Sequence, residues 1–237
     1  MKIDGIDVSM YGIRQWNVTP DYSEISNESE WITGAPGPLM LAGKAGFKKL
    51  KVSVVICGRS RREIWEQGSS FIAQLLTPRE LQLDGFAHSF FVYLKNASQA
   101  ETSLNRYHKA TLELIGYEHG EEITASTTSR TLIVNNTGNV RTPAVVEIVP
   151  VINLASVALT GLVRDERTGA DKRIIISDLI NGKRIVIDGE AGLVTEDGRN
   201  KFKDVEMWDF PALVPGTNTI TADKDIRLNL RYKPRYF

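Results

Sequence analysis

Strict alternation closes this chain. In Ile226-Arg-Leu-Asn-Leu-Arg-Tyr232, the residues Ile226, Leu228, Leu230 and Tyr232 fall on one face of a strand, while Arg227, Asn229, Arg231 and Lys233 fall on the other. A segment with a period of two cannot place its apolar residues along one side of a helix. It belongs in an antiparallel sheet with one buried and one wet face, as in the outer strand of a β-sandwich. The same reading extends back through 185–190 and 204–220, where Asp188-Gly189 and Pro215-Gly216 mark tight turns. From about Arg130 onward only strand patterns recur, at 131–134, 144–151, 156–161, 173–177, 184–188, 217–221 and 225–232. Short strands separated by turn residues at this spacing predict an all-β sandwich.

The N-terminal half mixes periods. Residues 1–16 read as one or two strands around Asp4-Gly5, anchored by Ile3, Ile6 and Val8. Residues 49–57 alternate, with Leu50, Val52, Val54 and Ile56 on one face. Ser60-Arg-Arg-Glu63 then forms a capping box, and Ile64, Trp65, Phe71, Ile72, Leu75 and Leu76 follow at helical spacing. This predicts a helix over about 60–76 with Trp65 in the core. Gly68 costs it roughly 1 kcal/mol relative to alanine but leaves room for close packing, and Pro78 ends it. Strands return at 81–83, after the Asp84-Gly85 turn at 89–94, and at 107–117.

Residues 17–46 show no sustained period and hold Pro20, Gly34, Pro36, Gly37, Pro38, Gly43 and Gly46. The apolar Leu39-Met40-Leu41 within them needs something to bury against, so the stretch is predicted to be a loop packed on another surface, such as a neighbouring subunit. Trp16 and Trp31 are read as free to meet a partner, and Trp208 as filling a loop on the sandwich. With 237 residues the prior is two domains. Composition shifts to Thr, Ser and Asn over 121–139, which sets the expected boundary between 1–125 and 126–237.

Charge and cysteine usage exclude several classes. Lys plus Arg and Asp plus Glu both number 29, so the chain has no overall electrostatic footprint for nucleic acid or anionic membrane. Cys57 is the single cysteine and no intrachain disulfide is possible. The amino terminus lacks the apolar core of a signal peptide and no stretch reaches the length of a membrane span, so folding in a cytoplasm is expected. The Asn-x-Ser/Thr triplets at Asn17, Asn27, Asn96 and Asn135 then reflect composition rather than glycosylation.

The search for chemistry fails motif by motif. Gly58-Arg-Ser60 opens like a nucleophile elbow but has Arg62 where glycine is required. The spacing from Gly37 to Gly43-Lys44 is one residue too long for a phosphate loop, and Ala45 stands where a hydroxyl is needed. His88, His108 and His119 form no pair at metal-ligand spacing. Asp188, Glu190, Glu196 and Asp197 fit no calcium loop. No catalytic, cofactor-binding or metal-ligating residue is assigned, and no cofactor is expected.

Order and spacing carry more than any single motif. Ile3-Asp-Gly-Ile-Asp7, Trp31 with the loop to Pro38-Leu39, Gly46-Phe-Lys-Lys49, the helix after Arg59 and Leu83-Asp-Gly-Phe86 are followed by Thr142-Pro143 and Ile187-Asp-Gly189. The most specific segment runs from Trp208 to Asn218 (Trp208, Phe210, Pro211, Pro215, Gly216, Asn218), ahead of the closing strand and Tyr232-Lys-Pro-Arg-Tyr236. Over its whole length the chain resembles the distal tail (Dit) proteins of tailed bacteriophages and prophages.

The resemblance implies a mainly β, two-domain structural protein without enzymatic activity. Its N-terminal domain would be a tail-tube-like β-sandwich with one α-helix, and its C-terminal domain a galectin-like β-sandwich. Members form a hexameric ring at the virion tail tip, with a channel for DNA passage. The ring joins the tail-tube protein to the tail-associated tip protein, with tape-measure and receptor-binding proteins as further partners. Family precedent has an N-domain loop embracing the adjacent subunit, which assigns Trp31, Pro38, Leu39, Met40 and Leu41 to a subunit interface. The loops at 164–172 and 190–204 are too short for the long arm by which some relatives hold receptor-binding proteins. A second reading, a carbohydrate- or cell-wall-binding sandwich module, rests on the β pattern and the free tryptophans.

Overall fold

A computed structural model describes residues 1–22, 25–30, 33–34, 36–37, 39–100, 106–165 and 168–237, with backbone alone for 26–30, 39–45 and 100. The chain divides into two compact units, Met1–Gly120 with Tyr236–Phe237, and Glu121–Arg235.

The first unit contains β1 (Lys2–Ile3), β2 (Ile6–Asp7), β3 (Ile13–Pro20), β4 (Ile25–Glu30), β5 (Leu39–Ala45), β6 (Lys48–Cys57), α1 (Arg61–Gln74), β7 (Arg79–Gln82), β8 (Ser89–Ala100) and β9 (Tyr107–His119). An antiparallel sheet runs in the order β2-β1-β7-β8-β9-β6-β3, while β4 and β5 pair as a separate two-stranded sheet. The turn joining β1 to β2 needs left-handed backbone at both central positions, and Asp4-Gly5 supplies it at φ +47° and +80°. Leu50, Val52, Val54 and Ile56 bury beside Ala110, Leu112 and Leu114 of β9, as the alternation of both segments requires.

Helix α1 starts where the capping residues place it. Ser60 is extended and its hydroxyl accepts from the Glu63 amide at 3.2 Å, while the Glu63 carboxylate reaches back to the Arg59 amide at 2.7 Å. Ile64, Phe71 and Leu75 are buried, and a Cβ at Gly68 would stand 3.0 Å from Ile56 Cδ1. Two expectations fail here. Trp65 is 63% exposed, because the buried stripe runs Ile64, Gly68, Phe71, Leu75 and its neighbour in sequence lies about 100° round the helix. Leu76 is exposed because the helix has already ended at Gln74.

The predicted loop at 17–46 is also corrected. It contains the end of β3 and both strands of the β4–β5 hairpin. Register shifts between Gln15 and Asn17 in β3 and between Asn27 and Ser29 in β4 break the side-chain alternation. A bulge puts two residues against one and erases the period from the sequence.

The second unit contains β10 (Ile123–Thr127), β11 (Thr131–Asn136), β12 (Thr142–Pro150), β13 (Leu154–Arg164), β14 (Asp171–Leu179), β15 (Ile185–Asp188), β16 (Leu193–Glu196), β17 (Arg199–Asn200), β18 (Val205–Glu206), β19 (Ala212–Leu213), β20 (Gly216–Ala222) and β21 (Ile226–Tyr232). One sheet runs β10-β21-β12-β15-β16-β17, with β19 on β12, and the other runs β11-β20-β13-β14-β18. Their inner faces form one core that includes Val146, Ile148, Leu159, Ile174, Ile187 and Ile220. The closing strand keeps its two faces, Ile226, Leu228, Leu230 and Tyr232 being buried. It is not an outer strand, however: it lies between β10 and β12. The mainly β architecture with a single α-helix among the described residues agrees with the fold class read from the sequence.

Candidate functional site

Two places stand out, neither of them catalytic. The first is the β4–β5 hairpin. Leu39, Met40 and Leu41 lie in β5, opposite the Ser29 and Glu30 end of β4. Trp31 and Pro38, expected to join them at an interface, lie outside the described residues. Among the described residues the hairpin pairs with neither large sheet, and an isolated two-stranded hairpin is marginal in water.

The second is the segment from Trp208 to Asn218, whose residues serve the fold with one exception. Asp209 accepts from the Phe210 amide at 2.8 Å and pairs with Arg141 at 2.9 Å. Phe210 packs on the core with its ring 6.2 Å from that of Phe202. The Pro211 carbonyl accepts from the Ala144 amide at 3.0 Å, and Gly189 passes so close that a Cβ there would lie 2.2 Å from that oxygen. The Pro215-Gly216 turn needs a left-handed residue in second place, which Gly216 provides at φ +86°. Asn218 locks the turn, accepting from the Val214 amide at 3.0 Å and donating to the Val214 and Gly216 carbonyls at 2.8 and 2.9 Å.

The exception is Trp208, which is 74% exposed with the Lys172 ammonium 5.4 Å from its ring centre. The expectation that it fills a packed loop is overturned. Val205 and Met207 take the inward positions after β14, so alternation turns Trp208 outward. Asn218→Ala is expected to lower the unfolding free energy by about 1–3 kcal/mol, since it strands a half-buried amide and two carbonyls. Urea denaturation would measure this, and an unchanged midpoint would refute it.

Sequence reasoning missed two polar clusters because their members are far apart in the chain. Buried Asn136 donates to the Thr142 hydroxyl at 3.1 Å and the Val214 carbonyl at 3.3 Å, and accepts from the Gly138 amide at 3.0 Å. In the first unit, Glu118 pairs with Lys48 and, at 2.7 Å, with His88. Burial pushes the Glu118 carboxyl up, but the hydrogen bonds from Lys48 and His88 outweigh it and hold the group below its ordinary value of 4.5. A depressed carboxylate stabilises the fold above its unfolded pKa, and the contribution is lost as pH falls through the folded value. Wild type should therefore lose stability as the pH drops below about 4.5, while Glu118→Gln should show a flatter acid limb. Parallel acid limbs in a pH series of thermal melts would contradict this.

The His88 ring stacks on that of Tyr236, with centroids 3.8 Å apart. Among the described residues no group of three or more His, Cys, Asp or Glu side chains could hold a metal ion. No helix there is long and apolar enough to cross a membrane.

Comparison with known proteins fits a scaffold of this kind. Residues 137–236 match the SPP1 Dit family model, described as the C-terminal domain of a siphovirus-type tail component. Through that unit the chain is similar to the Dit family.

Along its length the chain is similar in fold to the crystal structure of phage SPP1 Dit, described as a paradigm of hub adsorption apparatus in phages infecting Gram-positive hosts. The TM-score is 0.74 at 16% identity, covering 99% of this chain and 98% of that one. A chain of the phage P2 baseplate in its activated conformation with calcium gives 0.54 at 11% identity, covering 96% and 92%. The strontium form gives 0.52 at 13% identity, with the same coverage. At these identities the likeness is one of fold. No curated protein matches the chain.

Proposed function

We propose that this chain is a Dit protein and the hub of a phage tail tip, assembling as a hexameric ring that joins the tail tube to the adsorption apparatus and leaves a channel for DNA. The observation that carries the reading is the Dit domain at 137–236. The whole-length fold likeness to a hub protein supports it. The interface is assigned to the β4–β5 hairpin with Trp31, Pro38, Leu39, Met40 and Leu41. A closed ring repeats two different complementary patches head to tail, and a hairpin that pairs with neither large sheet among the described residues supplies one half of such a pair. The partners are the tail-tube protein on one face and the tail-associated tip protein on the other, with tape-measure and receptor-binding proteins as further neighbours. The place of action is the virion tail tip, after assembly in the host cytoplasm.

Light scattering of the purified protein followed by negative-stain imaging tests this. A six-fold particle with a central hole is the expected result. The exposed ring of Trp208 favours a second reading, a sandwich module that binds cell-wall carbohydrate. A monomer that binds glycans on an array, and loses that binding in Trp208→Ala, would replace the hub reading with this one.

A further inference from the structure

The turn between β14 and β15 holds the one Asn-Gly pair in the sequence, Asn181-Gly182. Glycine has no Cβ to shield its own amide nitrogen. In an open chain that nitrogen reaches the side-chain carboxamide of the preceding asparagine and attacks its Cγ. The Cγ–Nδ2 bond breaks, ammonia leaves with the proton of the amide, and a succinimide ring closes. Water then opens the ring at either carbonyl. The product is aspartate or, with the backbone rerouted through Cγ, isoaspartate. The reaction needs water and no other reagent.

Both residues are exposed, so water reaches them. The backbone is nevertheless held away from the reaction. The Gly182 amide donates to the Pro150 carbonyl at 2.9 Å, which ties up the proton that the attacking nitrogen must lose. The Asn181 amide donates to Asn153 Oδ1 at 2.8 Å, which fixes the peptide before it. The Lys183 amide donates to the Ile180 carbonyl at 3.1 Å, and Gly182 has φ +75° while Asn181 stays outside the left-handed region. That is a type II turn, whose second residue has ψ near +120°. A succinimide of an L residue needs ψ of the opposite sign, so the turn must open before the ring can close.

We propose that Asn181 is the deamidation site of this protein and that the fold gates it. The reaction proceeds only while the β14–β15 turn is open and its bonds to Pro150 and Asn153 are broken. Its rate follows the fraction of molecules open at this turn, which local unfolding sets separately from global stability. Isoaspartate adds a backbone carbon between positions 181 and 182, so the type II turn does not re-form over Pro150 and Asn153. The change falls where the sandwich also exposes Val151, Ile152 and Ile180. An opening event is thereby recorded permanently in the chain. The gate is the same whether the chain is a hub or a module that binds glycan.

The test incubates the full chain, folded and in guanidinium chloride, in the same mildly alkaline buffer. Trypsin then releases residues 174–183, bounded by Arg173 and Lys183, and chromatography with mass spectrometry separates both products from the parent peptide. Conversion at Asn181 is expected to be about tenfold or more slower in the folded chain, a factor equivalent to about 1.4 kcal/mol of opening free energy. Asn153→Ala removes the acceptor for the Asn181 amide and is expected to speed the folded reaction by about threefold or more, leaving the rate in denaturant unchanged. Asn153→Asp keeps an acceptor oxygen and should retain the wild-type rate. Equal rates in the folded and unfolded wild-type chain overturn the gate. So does an Asn153→Ala chain that melts like wild type and deamidates no faster. A different asparagine converting first in the unfolded chain overturns the site.

Discussion

Deletion of residues 32–44 is expected to abolish ring formation while leaving both units folded. The cut removes most of β5 and takes from β4 its only partner among the described residues. Among the described residues the buried set of the first unit comes from β1, β3, β6, α1, β7, β8 and β9 with their adjoining turns, and the second unit is separate in sequence. Self-association should weaken by at least a hundredfold, about 2.8 kcal/mol, because one of the two complementary patches of every contact is gone. Light scattering measures the mass, and thermal melts monitored by circular dichroism show whether the units survive. Intact rings from the shortened chain would sink the hairpin assignment, and loss of the melting transition would show that the hairpin belongs to the fold.

Gly116→Ala should be the most damaging single substitution in the N-terminal unit. Gly116 sits between Lys48 of β6 and Val92 of β8. A Cβ there would stand 1.9 Å from the Phe91 carbonyl oxygen and 2.7 Å from Val92 Cα. Both obstacles are backbone, so no rotamer change relieves them and β8 must move away from β9. A loss of about 3 kcal/mol or more follows, since overpacking a well-packed site costs 1–3 kcal/mol even where side chains can shift. For a domain of this size that is a drop in melting temperature of roughly 10 °C. A melting temperature within a degree or two of wild type would mean that the strands separate at little cost.

Much of the architecture was legible because it is written in period and punctuation. The alternation at 49–57 and 226–232, the Ser60–Glu63 cap and the turns at Asp4-Gly5 and Pro215-Gly216 are local, and each forms where the chain places it. Strands β4 and β5 were not legible, because the register shift between Asn27 and Ser29 breaks the alternation of a short hairpin. Trp65 and Trp208 were misread for a related reason. Hydrophobicity and a plausible element do not fix which way a side chain points when the buried stripe of that element is narrow.

By itself, the sequence determined the fold class, the strand-rich C-terminal half, the start of the helix at Ser60, and an order of motifs that resembles the Dit proteins. These rest on local propensities and short-range hydrogen bonds, which travel with the residues. Only the tertiary structure decided that β21 is an inner strand and that Asn136 and Asn218 hold the Trp208–Asn218 segment in place. Those features depend on register between strands dozens of residues apart, which is set when whole sheets pair and pack.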